Sequence, residues 1–305
     1  MTHSRVLLLT GHDGGRAGGG REALSRLLEA VVTELAGPPA ILRLAGRTGA
    51  MEGLRGRLGG FNRAAEADLR ARLADPAVTA VLCDGSQLGA AAAFARTARP
   101  DLPVITFCHN CETDFFAGAF RASPGLRTAA VLAGHWQAER LAVRHSSRIV
   151  TLTVRDSEAL ARRFGRGADA VIPLAMDDAS DPLAAPVQRG EPYALFVGGG
   201  FFGTLEGLRW YACEVAPHVK MRTLVVGRGL DALGALPENV EQIGPVDDLS
   251  PWYAGAALVI APILSGSGMK TKVAEALMHG KRVVGTAEAF AGYGAEVVAA
   301  NHLCD

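Results

Sequence analysis

"MDDASDPLAAPVQRGEP", Met176 to Pro192, decides how the chain is read, because a regular alternation of strand and helix patterns stops there. The stretch holds three prolines, several acids and no apolar period, which is the composition of a connection between domains. Upstream, short Val-, Ile- and Leu-rich runs predict strands over Val6–Thr10, Ala40–Leu44, Thr79–Cys83, Val104–Phe107, Ile149–Leu152 and Ala170–Pro173. Helical patterns fill the gaps at Arg21–Leu35, Asn62–Leu73, Gln87–Ala98, Leu126–His145 and Asp156–Phe164. Downstream the alternation restarts with "YALFVGG", a helix over Leu205–Val215, then "TLVVG", "VEQIG", "ALVIAP", a further helix and "KRVVG". Short buried runs between helices are the pattern of a parallel sheet covered on both faces. The economical α/β reading is two doubly wound, parallel-sheet, Rossmann-like domains in series, 1–175 and 193–305, joined by a linker at 176–192. Both sets of strand carboxyl ends are then expected to face one cleft.

A chain of 305 residues suits two cores. Lys plus Arg equals Asp plus Glu at 31 each, so no global field draws in nucleic acid, and any anion site must be local. The opening "MTHSRVLLLTGHDGG" carries an apolar run too short to span a bilayer and reads as a first buried strand, so a cytoplasmic location is expected. Five scattered cysteines fit reduced thiols. Cys108 and Cys111 have the spacing of a metal or redox pair, but no second CxxC accompanies them. No acid pair follows an apolar strand in a metal-binding pattern. The expectation is therefore no catalytic metal and no cofactor.

The most specific signal is "PILSGSGMKTKVAEALMHGKRVVG", Pro262 to Gly285. Lys270 and Lys272 fall where a helix should begin, and the macrodipole disfavours cations there. A bound anion would relieve that conflict. The loop Ser265 to Gly268 brings glycines that allow close backbone approach, and a helix starting near Met269 offers unpaired N–H groups. Lys270 would reach a phosphate from the first turn. Glu275 follows Thr271 by four residues on one helix face, where a carboxylate can accept hydrogen bonds from a vicinal diol such as a ribose. Phosphate and diol grips together suggest a nucleotide diphosphate. The competing reading, an ordinary Lys272–Glu275 surface ion pair, leaves the glycines and Lys270 unexplained.

Two further stretches lie in the first half. "TGHDGGRAGGGREAL", Thr10 to Leu24, puts Gly14 and Gly15 in a loop whose amides could meet phosphate, although its spacing is not a dinucleotide fingerprint and a mobile turn explains it as well. "VITFCHNCETDFF" places His109 in a polar turn at the carboxyl end of a strand, where α/β proteins bind ligands. Glu112 and Asp114 stand nearby, either orienting His109 and binding an acceptor or simply solvated. Arg43, Arg47, Arg55, Arg57, Arg63, Arg70 and Arg72 make the region after the second strand basic. This is either a surface for anionic lipid headgroups or a solvated helix without an aromatic-basic face.

Taken together, these stretches resemble the retaining, nucleotide-sugar-dependent glycosyltransferases of GT-B fold, in particular the bacterial group 1 type. The resemblance rests on the Gly-rich loop, "FCHNCETDFF", "VTLTVRDSEAL" with "VIPLAMDD", "ALFVGGGFFGTLEGLRWYACEV", "VEQIGPVDDLSPWYAGAALVIAPI" and "GSGMKTKVAEALMHGKRVVGT". It implies that the second domain holds a nucleotide diphosphate sugar and the first supplies the site of a carbohydrate or lipid-linked acceptor. By position Glu275 matches the ribose-binding glutamate and His109 the histidine near the transferred sugar, with Lys270 neutralising the leaving diphosphate. Gly14, Gly15, Gly199, Gly266, Ser267, Gly268, Met269 and Thr271 complete the expected donor contacts, and Glu112 and Asp114 the acceptor side. Peripheral contact with the inner membrane face belongs to the same expectation, suited to polysaccharide or cell-envelope synthesis.

The sequence departs from the family pattern in three ways. Ser267 stands where many members carry an earlier glutamate. The Arg and Lys that usually follow the first strand of the second domain are missing from "VGGGFFGTLEG", which leaves Lys270 and Lys272 to supply that charge. Helices that normally close the second domain are not found before Asp305, so that domain is expected to be shortened. Competing functions are a nucleotide-sugar epimerase or hydrolase on the same fold, and a non-catalytic nucleotide-sugar-binding protein.

Overall fold

The computed structural model describes residues 5–11, 20–176, 178 and 180–304. The chain separates into two compact units, Met1–Pro173 and Leu174–Asp305. The whole proline-rich connection, 176–192, thus falls within the second unit, where Val187 N–H donates to the Pro251 carbonyl at 2.9 Å.

In the first unit the order is β1 (Arg5–Thr10), α1 (Gly20–Ala36), β2 (Ala40–Arg43), α2 (Ala50–Leu54), α3 (Arg63–Leu73), β3 (Val78–Asp84), α4 (Gly89–Ala98) and β4 (Val104–Cys108). It continues with α5 (Glu112–Ala122), α6 (Leu126–His145), β5 (Arg148–Thr151), α7 (Val154–Phe164) and β6 (Ala170–Val171). All six strands are parallel, in the order β2-β1-β3-β4-β5-β6. Leu8 is flanked by Ile41 and Leu82 in the ladder, and Leu7, Leu9, Val81 and Val104 are fully buried, so these runs are apolar on both faces as sandwiched strands must be.

The second unit runs β7 (Tyr193–Val197), α8 (Phe202–Trp210), β8 (Arg222–Val226), β9 (Val240–Gly244), α9 (Ser250–Gly255) and β10 (Ala256–Ala261). It ends with α10 (Thr271–Met278), β11 (Val283–Gly285), α11 (Ala295–Ala300) and β12 (His302–Leu303). Its parallel order is β12-β11-β10-β7-β8-β9. One core of Leu195, Phe196, Leu224, Val225, Tyr253 and Val273 joins sheet and helices.

In each sheet the strand order reverses at one point, between β1 and β3 in the first unit and between β7 and β10 in the second. Connections leave such neighbours in opposite directions, which opens a crevice at the strand carboxyl ends. The second crevice is kept narrow by glycine. A Cβ at Gly207 of α8 would stand 1.6 Å from the Pro262 carbonyl oxygen, and one at Gly203 2.5 Å from that of Ser265. No larger residue lets α8 lie this close to the chain leaving β10.

Two elements depart from the sequence reading. His109 lies in a bend after β4, and that bend leads into an 11-residue helix, α5, which the sequence patterns did not mark. The helix expected near Met269 begins at Thr271, with Lys270 as its N-cap residue in an extended conformation.

Candidate functional site

The crevice of the second unit is built from the loop that leaves β10. Gly266 and Gly268 have φ of +155° and +66°, so this loop needs glycine at both positions. Lys270 closes it from inside. Its Nζ donates to the Gly268 carbonyl at 2.9 Å, the Ser267 carbonyl at 3.3 Å and Glu288 Oε1 at 3.0 Å. Tyr293 secures the same corner: its hydroxyl donates to the Lys270 carbonyl at 2.8 Å and accepts the Ala274 N–H at 3.0 Å. In this structure Lys270 thus holds the loop's own backbone and Glu288. Ser267 Oγ is buried with no hydrogen-bond partner, and Met269 Sδ accepts the Leu174 N–H at 3.2 Å.

Lys272, one turn of chain further on, occupies a different setting. Its Nζ lies over the rings of Phe196 and Phe201, 4.6 and 5.7 Å from their centroids, and 3.4 Å from Thr204 Oγ1. A Cβ at Gly198 would be 3.0 Å from that nitrogen, so the glycines after β7 are what admit it; Gly199 beside it has open space where a side chain would be. Among the described residues no carboxylate forms an ion pair with Lys272, and the surface pair with Glu275 that the competing reading required is not made. Burial, then the neighbouring Lys270 cation, pulls the ammonium down to about 7. This is a lysine at a topological switch point, held on aromatic faces and balanced only at longer range by Glu275 among the described residues.

Glu275, on α10 with Thr271 and Lys272, accepts a hydrogen bond from the Tyr253 hydroxyl at 3.1 Å. Burial pushes its carboxyl up, opposed by Tyr253 and Lys272. Tyr253 is itself stacked on His279, with centroids 4.3 Å apart and planes 11° from parallel. One Glu275 oxygen is thereby fixed, and the carboxylate keeps acceptor capacity for a diol.

In the first unit His109 stands just past β4, beside the β1–β3 switch point, and its Nε2 is 2.7 Å from Asp84 Oδ1 at the end of β3. Thr10 and Ser25 hydroxyls each donate to Asp84 Oδ2 at 2.6 Å. Against burial, which pushes it up, the hydrogen bonds from His109, Ser25 and Thr10 hold the Asp84 carboxyl below the usual range. His109 Nδ1 is buried and has no hydrogen-bond partner among the described residues. A carboxylate that takes the Nε2 proton's hydrogen bond leaves Nδ1 as the acceptor nitrogen. Gly14 and Gly15 lie outside the described residues.

Glu112 opens α5 and is buried; desolvation pushes its carboxyl up, with Arg21 and then His109 opposing. It lies 3.9 Å from an Arg21 nitrogen and 3.6 Å from His135 Nδ1. Asp114 is instead taken into an ion pair with Arg163 of α7, whose Nε donates at 2.7 Å. The amides of α5 are capped from a distance. Glu139 of α6, fully buried, accepts the N–H groups of Glu112 and Thr113, each at 2.9 Å, and the Ser86 hydroxyl at 3.0 Å. Cys108 and Cys111 are buried free thiols that desolvation pushes up, and Cys111 Sγ donates to Glu139 at 3.5 Å. Among the described residues no group of three or more His, Cys, Asp or Glu side chains is gathered to hold a metal ion.

Residues 191–302, which contain the β7–β10 crevice, match the family model of the glycosyl transferases group 1. The likeness to a group 1 glycosyltransferase thus lies in the second unit. Anabaena HepE in complex with UDP-glucose is similar to the whole chain, at 17% identity and a TM-score of 0.63, over 99% of this chain and 85% of that one. The catalytic domain of starch synthase IV from Arabidopsis thaliana, bound to ADP and acarbose, is similar at 12% identity and a TM-score of 0.61, over 93% and 82% of the two chains. The lipopolysaccharide outer core galactosyltransferase WaaB is similar at 12% identity and a TM-score of 0.54, over 96% and 82%. At these identities the likeness shows the fold, two Rossmann-like units of the GT-B class. No curated protein matches the sequence. In the second unit, therefore, Lys272, Glu275 and the Gly266–Lys270 loop share one crevice, whereas Asp84, Glu139, Tyr253, Glu288 and Tyr293 were not singled out by sequence. Asp84 had a signal: an acid closing an apolar run just before glycine in "VLCDG".

Proposed function

We propose that the protein transfers a sugar from a nucleotide diphosphate sugar to a carbohydrate or lipid-linked acceptor, with retention at the anomeric carbon and without a resident metal. The observation that carries this is Lys272, a cation without a carboxylate partner among the described residues, set in the crevice of a glycosyltransferase domain beside the Gly198–Gly199 backbone. As the glycosidic bond breaks, negative charge builds on the diphosphate. A preorganised cation and helix amides over aromatic faces stabilise that charge more than the ground state. In this reading Glu275, fixed by Tyr253, takes the ribose hydroxyls, while Ser267 Oγ and the loop amides meet the donor.

His109 is assigned to the transferred sugar. With Nε2 bound to Asp84, its Nδ1 accepts a hydrogen bond from a sugar hydroxyl, and Glu112 serves the acceptor side. The protein acts in the cytoplasm, at the inner membrane face. Calorimetric titration with UDP, GDP and ADP tests the donor grip: binding of one of them, lost in Lys272→Met, supports it, and no binding to folded protein removes it. Product analysis then separates transfer from epimerisation or hydrolysis, and the anomeric configuration of the product reports retention.

A further inference from the structure

Of the seven arginines after β2, Arg47, Arg55 and Arg63 are exposed and the other four are paired with acids. Arg43 pairs with Glu29 at 3.4 Å, Arg57 with Glu66, Arg70 with Glu66 at 3.8 Å and Arg72 with Asp68 at 3.4 Å. Arg57 and Arg70 also lie over Phe61 and Phe94. A different set of arginines is assembled at the C-terminal end of α6. There a cavity of about 420 Å³ is lined by Trp136, Arg140 and Arg144 of α6, Arg163 and Phe164 of α7, and Arg166 just beyond, with no acid among its lining residues.

Two of these guanidinium groups have structural partners. Arg163 pairs with Asp114, and Arg166 donates to Asp169 and to the carbonyls of Val143, Ser146 and Ser147. Arg140 lies over the Trp136 ring, 5.5 Å from its centroid, and Arg144 is exposed. Neither has an acidic partner among the described residues. Burial, then the cations of Arg144 and Arg96, pulls His145 down beside them. In a chain with no net charge this is a local excess of positive potential against an aromatic wall.

The rest of α6 explains what such a cavity meets. Leu126, Ala130, Ala133, Trp136, Arg140 and Arg144 recur every three or four residues and are all exposed. They form one solvent-facing stripe that is apolar over its first half and basic at its end. The opposite face, with Gly134, Ala138, Ala142 and Val143, is packed into the unit. A helix that is apolar on its exposed side as well as its buried side has a second surface to cover. Leu126 is 93% exposed and Trp136 41%. No helix among the described residues is long and apolar enough to cross a membrane, so a stripe of this kind can engage a bilayer only by lying along it.

We propose that the exposed face of α6 docks on an anionic lipid surface, with the Arg140–Arg144 cavity receiving the headgroup phosphate and Leu126 and Trp136 entering the interfacial layer. Guanidinium groups bind phosphate oxygens in pairs, and tryptophan favours the headgroup level of a bilayer. This inference is independent of the donor reading, because no residue of the β7–β10 crevice takes part.

Flotation of the full chain with phosphatidylcholine vesicles, with and without phosphatidylglycerol, tests it. Binding is expected only with phosphatidylglycerol and only at low salt. Arg140→Gln with Arg144→Gln should weaken binding about thirty-fold, since each basic side chain near an anionic surface contributes roughly five-fold. Trp136→Ala should weaken it several-fold, and Arg70→Gln with Arg72→Gln should leave it unchanged. Both exposed double variants are compared by circular dichroism so that misfolding is recognised. Absence of wild-type binding at low salt overturns the proposal, and so does an equal loss in the two double variants. Calorimetric titration with inorganic phosphate supplies the remaining arm: phosphate binding that depends on Arg140 and Arg144, without vesicle binding, would mean a soluble-anion site instead.

Discussion

His109 Nε2 sits 2.7 Å from Asp84 Oδ1, and the other ring nitrogen has no hydrogen-bond partner among the described residues. Asp84 also accepts hydrogen bonds from Thr10 and Ser25, so a side chain that only accepts suits this position. Asp84→Asn turns an NH₂ group toward at least one of those donors and removes the charge that selects the His109 tautomer. We expect kcat/KM to fall about 10²-fold, the order of a general acid–base or orientation defect. Nitrogen NMR of His109 checks the cause: an Asn variant that keeps the Nε2–H tautomer and full turnover removes the orienting role. The sign of the pH effect follows too. A carboxyl held below its ordinary range stabilises the fold fully above that range, and the contribution is lost as pH falls through the native value.

Lys272 has the opposite linkage. Its native ammonium titrates at about 7, whereas an unfolded lysine titrates at about 10.4. Between those values the unfolded chain binds more protons, so stability should rise with pH across that window. A diphosphate laid against Nζ returns the proton. Nucleotide affinity should therefore fall as pH rises above about 7, by up to about tenfold per pH unit. Calorimetry in two buffers of different ionisation heat should show proton uptake on binding at pH values above the native one. Lys272→Met should abolish both the affinity and the uptake, and uptake that survives the substitution would assign the proton to another group.

Much of the fold was legible because buried parallel strands are short continuous apolar runs, as in "RVLLLT" and "ALVIA", and the breaks between them hold glycine and proline. The missed helix α5 shows the limit. Its first amides are capped by Glu139, which lies 27 residues from Glu112 in sequence, so no local capping signal precedes it. The same holds at the candidate site. "GSGMKTK" marks a loop and two cations, but spacing alone cannot say that Lys270 turns back onto Gly268 and Glu288 while Lys272 lies on Phe196. That division depends on β7, α8 and residue 288, all distant in sequence.

Glu139 should be the costliest polar position in the first unit. It is fully buried and accepts two α5 amides and the Ser86 hydroxyl. Glu139→Gln keeps the volume but places an NH₂ group against one of those donors, and we expect a loss of about 2–3 kcal/mol in urea unfolding.

Glu112→Gln offers the contrast. Burial holds this carboxyl above its ordinary range, so in the native protein stability declines as pH rises from the unfolded toward the native value. The amide does not ionise. Its unfolding free energy should depend less on pH over that interval, and an unchanged pH slope would show that Glu112 does not titrate with folding.

Lys270→Ala separates the two lysines. The side chain ties the Ser267 and Gly268 carbonyls to Glu288, so its removal should free the loop and raise amide exchange at Gly266 to Gly268. Nucleotide affinity should fall about tenfold, because a loop that must be ordered on binding opposes it by one or two side chains' worth of entropy. Stability should fall as well, by about 1–3 kcal/mol, since Glu288 loses a charged hydrogen bond. Lys272→Met should instead abolish binding with little loss of stability, because it removes a cation that burial already disfavours. Glu288→Gln then decides whether Lys270 acts through the loop. If it does, this variant reproduces the faster exchange and the weaker binding of Lys270→Ala, and wild-type affinity with a loosened loop would mean that Lys270 touches the nucleotide itself.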